Sequence, residues 1–140
     1  MKNLIFLFSI VGVLIYSCGT PKKTMSDVNN KQEEPVRIAN DSLSYEIIIM
    51  DFGFNNYLNG VAKPMGFYSQ QYLETRNRIY VAEWNQRAAN SLRYDPSIYE
   101  NTIDYQPGID YGMEVNYKLY NYFQFAQNKY KMRLASFRVE

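Results

Sequence analysis

The chain has 140 residues, 15 of them Lys or Arg and 14 Asp or Glu, with no histidine and a single cysteine. That length suits one modest domain with appendages. The missing histidine removes the commonest general base and metal ligand, and one thiol builds neither an internal disulfide nor a Cys-rich metal centre. Near-neutral charge argues against nucleic acid as a partner, because phosphate binding needs a basic surplus or patch.

The first element is a leader. Lys2 is followed by a run from Leu4 to Tyr16, apolar apart from Ser9 and Gly12, and then by Ser17 and Cys18. About 13 residues fall short of the roughly 20 that a spanning helix needs, so the run reads as a secretory signal segment over residues 1–17. Ile15-Tyr16-Ser17-Cys18 resembles the lipobox of bacterial lipoproteins. That resemblance implies lipid attachment at Cys18 and cleavage before it, and it makes the membrane a partner of the mature chain. Gly19 in place of an acidic residue after the cysteine implies, by the same resemblance, the outer membrane of the bacterial envelope. Lys2 is the only charge before Cys18, so a chain beginning there carries 14 basic residues against 14 acidic ones. A buried thiol is a poor alternative between an apolar run and a polar tail. An uncleaved anchor is stopped by Gly19, Pro21, Lys22 and Lys23.

Residues 18–42 read as a lipid-anchored tether, because Gly19–Ser42 has no aromatic residue and is rich in Lys, Asn, Glu, Ser and Pro. Such a composition buries too little surface to offset ordering entropy. Residues 43–140 read as an aromatic-rich globular domain. Its first element is a β-branched strand, about Tyr45 to Asp51. A short helix or turn over "FNNYLNGVAKP" ends at Gly60 and Pro64. A long helix starts near the N-cap Ser69, with Leu73, Tyr80, Trp84 and Ala88 on its apolar stripe and Glu74–Arg78 and Glu83–Arg87 as i,i+4 pairs. Asp95-Pro96 reads as the cap and first position of another short helix.

From about Asp110 a second long amphipathic helix carries Val115, Leu119, Tyr122, Phe123, Ala126 and Tyr130 on its stripe. The tail "SFRV" is offered as the partner that the lone strand needs. The expected fold is a small, mostly helical α+β domain.

Tyrosine is the densest feature, with 14 copies. Tyr122 and Tyr130 fall on the apolar stripe and read as core, whereas Tyr117 and Tyr120 lie off it and read as surface. Asp104-Tyr105 and Asp110-Tyr111 form an echo six residues apart. Asp95 and Asp110 are explained as caps, and Asp104 is left without a role. Glu83 beside Trp84 has Arg87 one turn away, which favours its charged form and a salt-bridged face over an acid catalyst. The spacing matches no P-loop, GxSxG, HExxH or dinucleotide fingerprint. A possible interaction surface is therefore drawn from Tyr117, Tyr120, Trp84, Tyr105 and Asp104, with no cofactor, no metal and no catalytic residue expected.

Two aromatic-rich strings, "GFYSQQYLETRNRIYVAEWNQR" and "IDYGMEVNYKLYNYF", resemble an uncharacterised family of bacterial envelope lipoproteins defined only as a domain of unknown function. The resemblance runs from about Asp41 to Leu134 and brings no activity, ligand or site residue. The expected function is a lipid-anchored envelope protein with a structural or protein-interaction role and an unidentified envelope partner. The alternative is a glycan or small-ligand module using Tyr, Trp and Asp side chains. A hydrolase with two carboxylates ranks last.

Overall fold

The computed structural model describes residues 34–137, and the leader and Cys18 lie outside them. The strand over the isoleucine run finds its partner upstream. β1 (Val36–Asn40) and β2 (Tyr45–Ile49) form an antiparallel hairpin, Val36 opposite Ile49 and Asn40 opposite Tyr45. A 3-10 turn, Asp41–Leu43, joins them, held by the Asn40 side chain accepting from the Ser42 N–H and by Ser44 in the left-handed region. This corrects two expectations. The strand is paired by β1 and not by Ser136 or Phe137, the described residues of the expected tail strand, and the stretch read as tether to residue 42 contains β1. Val36 and Ile38 alternate inward there, and the pairing with β2 satisfies their backbone groups.

Side chains at odd positions of β2 face the core and those at even positions face away. The alternation in exposure runs on past the strand, from Tyr45 to Phe52. At Gly53 the chain turns into α1 (Phe54–Gly60) with φ +97°, a conformation that suits a residue without Cβ. Phe54 then buries fully against Tyr122 and Phe125. α2 (Gln70–Ala88) begins where Ser69 predicts, its hydroxyl accepting from the Tyr72 N–H at 3.2 Å. α3 (Gly112–Lys129) follows a long loop, and the Asp110 carboxylate accepts from the Gly112 N–H at its start.

α3 packs on β1, α1 and α2. It is therefore the central helix, and every residue from Leu119 to Gln127 is buried. The short helix expected after Asp95 is instead a single turn. Asp95 accepts from the Ser97 N–H and hydroxyl, but the chain beyond is drawn onto α2. Arg87 donates to the Tyr99 hydroxyl, and the Trp84 indole donates to the Asn101 carbonyl. Arg87 also pairs with Glu83 and donates to the Arg133 carbonyl, so one guanidinium fastens the loop and the tail to α2.

The tail packs on helices. Leu134 is buried with its N–H on the Gln127 amide oxygen at 2.9 Å, and Phe137 lies edge-on to Tyr80 with the Arg76 guanidinium 3.6 Å from its ring centre. At the far end, Asp51 receives the Lys129 ammonium and the Tyr130 hydroxyl, tying the end of the hairpin to the end of α3. Among the described residues, no helix is long and apolar enough to cross a membrane.

Candidate functional site

Three of the five residues expected at an interaction surface lie in the core. Trp84, Tyr105 and Tyr120 are buried. The Trp84 ring lies against Tyr99, Tyr122 and Phe123. Tyr120 meets Tyr68, Tyr72 and Tyr80, because the side of α3 that its position selects faces α2 rather than water. Tyr105 stacks on Tyr111 with ring centres 4.7 Å apart and donates its hydroxyl to the Asn116 side chain at 2.6 Å. Asp104 is exposed and accepts from the Gln106 amide.

The remaining candidate, Tyr117, is half-buried, with its hydroxyl on the Lys63 carbonyl at 2.8 Å. It lines a groove of about 520 Å³ between the entry to β1, α1 and α3. Pro35, Val36, Leu58 and Met65 supply apolar wall, while Arg37 and Lys118 supply charge. Lys118 is held there by Glu114 one turn away and by the Arg37 carbonyl. Beyond it, Met65 and Phe67 stand exposed, at 50% and 59% of their surface. The Lys63–Phe67 segment thus offers large apolar groups beside a polar-rimmed groove, the combination that takes an apolar side chain from a partner.

A second groove, about 350 Å³, lies between the first turns of α2 and the loop before α3. Its lining is polar. The Gln70 amide donates to Glu74 at 2.8 Å and to Asp110 at 2.6 Å, with Arg78 and the edge of Tyr105 beside them. Among the described residues, no group of three Cys, Asp or Glu side chains converges as a metal site.

Polar residues inside the core carried no signal in the apolar periodicity. Asn77 and Asn116 are fully buried where α2 meets α3, and the Asn77 amide donates to the Asn116 carbonyl at 2.9 Å. Gln124 donates to the Tyr80 hydroxyl, and Gln127 to the carbonyl one turn before it. These amides give the surrounded helix internal hydrogen-bond partners, while the Asn77 side-chain oxygen and the Tyr45 hydroxyl are buried without one among the described residues. Asn77 interrupts the stripe Leu73, Tyr80, Trp84 at a helical interval, and that position was the available clue.

Burial also shifts the phenols. Tyr105 is pushed up to about 12 by burial and then by Glu74, and Tyr130 to about 12 by burial and then by its bond to Asp51. Tyr122 and Tyr45 move in the same direction, again by burial. An unfolded phenol titrates near pH 10. The folded chain keeps these protons where the unfolded chain releases them, so their contribution is complete below about pH 10 and is lost as pH rises toward 12. Denaturant midpoints are expected to be flat in pH up to about 10 and to fall above it. The tyrosinate absorbance of these groups should appear together with unfolding. A midpoint unchanged at pH about 11 overturns this.

A model of a family of unknown function (DUF6146) matches residues 5–139, so the chain belongs to that family. The match extends on both sides of the described residues 34–137. No curated protein and no solved structure matches.

Proposed function

We propose that this family member is a lipid-anchored protein of the bacterial outer membrane whose domain works by binding another envelope protein. The leader supports the anchoring: Lys2, a short apolar run, then Ser17 and Cys18 at its end. One observation carries the binding role, the Tyr117 groove with exposed Met65 and Phe67 beside it. Apolar groups of this size are presented to water at a cost that a partner's surface relieves.

The test is a photo-crosslinking residue at Met65 in cells. The expected result is one discrete protein adduct that Tyr117→Ala removes while the protein stays folded and membrane-bound. The absence of any adduct, together with saturable binding on a glycan array, overturns this reading. That result would favour the second one, a glycan or small-ligand module. The polar groove supports the second reading, because Gln70, Glu74, Arg78 and Asp110 present alternating donors and acceptors beside an aromatic edge, as a polyhydroxylated ligand requires.

A further inference from the structure

The outward face of the hairpin is graded along its length. Its outward residues are Arg37 and Ala39 on β1, opposite Ile48 and Glu46 on β2, followed by Met50 and Phe52. Toward the turn the face is charged and self-satisfied, where the Arg37 guanidinium reaches from its place opposite Ile48 to both Asp41 and Glu46. At the other end it is apolar and open. Ile48, Met50 and Phe52 expose 57%, 81% and 73% of their surface. They stand out because Asp51 between them is turned inward to Lys129 and Tyr130. That anchorage holds the Phe52 carbonyl on the Lys129 ammonium as well, at 2.7 Å. The exposed strip is thus held outward by the contacts that Asp51 and the Phe52 carbonyl make behind it.

The apolar end is also the end at which the chain leaves for Cys18. Val36 opens β1 and pairs with Ile49, so the entry to the domain runs beside Ile48 and Met50. Only 17 residues, Gly19 to Pro35, separate Cys18 from Val36. Fully extended, a chain of that length reaches no more than about 60 Å. The folded domain has a radius of gyration of about 13 Å. The point at which a membrane holds Cys18 therefore lies no more than about 60 Å from Val36, which pairs beside this strip.

We propose that Ile48, Met50 and Phe52 rest in the interfacial layer of the membrane that holds Cys18, which fixes the orientation of the domain on the lipid surface. The proposal deepens the anchoring reading and rests on it. The tether makes the contact intramolecular, at an effective concentration in the millimolar range, so a strip of three side chains suffices where a free protein would need more. The Tyr117 groove remains available for the protein partner.

The test uses the full chain alkylated at Cys18 with a maleimide lipid and reconstituted into vesicles of phosphatidylethanolamine and phosphatidylglycerol. Cys18 is the chain's only thiol, and the synthetic lipid separates this test from biological lipidation. Trp84 is buried, so an indole introduced by Phe52→Trp reports on its own surroundings. Brominated lipids are expected to quench it, to leave the indole of Leu92→Trp unquenched, and to lose their effect when Ile48→Ser and Met50→Ser are added. An indole at position 52 that stays unquenched on vesicles overturns the proposal and leaves the face to a protein partner. So does an emission shift that grows with protein concentration in the absence of lipid, since a second copy then covers the strip. If quenching is seen but fatty-acid labelling of Cys18 in cells is not, the docking stands and the anchoring reading falls.

Discussion

Cys18→Ala is expected to abolish labelling by a fatty-acid probe in cells and to move the protein out of the membrane fraction. The reasoning is quantitative. Each buried methylene contributes about 0.8 kcal/mol, so a single acyl chain holds a protein only reversibly, while two or three hold it for its lifetime. The apolar run before Cys18 is too short to span a bilayer once the cysteine no longer directs processing. Ile48, Met50 and Phe52 expose too little surface to replace the acyl chains. The fold should be untouched, because residue 18 lies ahead of the first described element at Val36. Circular dichroism and the denaturant midpoint of the variant should therefore match the parent. Equal labelling of variant and parent would overturn the lipid attachment. Loss of labelling together with loss of folding would overturn the claim that anchor and domain are independent.

The sequence was legible where local chemistry decides and opaque where packing does. Ser69 placed the start of α2 because a hydroxyl cap is a local device, and the Glu83–Arg87 pair followed from helical spacing alone. β1 escapes the apolar pattern because Val36 and Ile38 are its only inward apolar side chains, followed by the polar Asn40 at its end. The strand exists through its register with β2, which no local pattern states. The turn after Asp95 was over-read because a cap and a proline start a helix only if the chain is free to continue, and Arg87 and Trp84 draw it away. Periodicity gave the face of α3 that carries Leu119 and Phe123. It could not say that other elements pack on α3 from several sides. That number of neighbours, not the spacing, sends Tyr120 inward and leaves Tyr117 at a groove.

Tyr120 and Phe123 therefore carry the second large expectation. Phe123 is fully buried, with ring centres 5.4 Å from Tyr80, 5.9 Å from Tyr122 and 6.0 Å from Trp84. Phe123→Ala should cost about 3–5 kcal/mol, the transfer energy of the ring plus the cavity left between helices that cannot close on it. A domain of this size has about 5–15 kcal/mol in total, so the variant is expected to lose from a fifth of its stability to nearly all of it. Each kilocalorie lost should lower the midpoint by about 4 °C or more. Tyr120→Ala should cost a comparable amount, since its ring meets three other tyrosines and only 3% of its surface is exposed. Leu92→Ala is the matched control. It removes a large apolar side chain that is fully exposed, and should stay within about 0.5 kcal/mol of the parent. Thermal and denaturant unfolding of the three variants separate the possibilities. If Tyr120→Ala matched Leu92→Ala, Tyr120 would return to the surface and α3 would no longer be the central helix. If it matches Phe123→Ala, Tyr120 and Tyr122 are core, and Tyr117 alone of the three helical tyrosines is left at the surface.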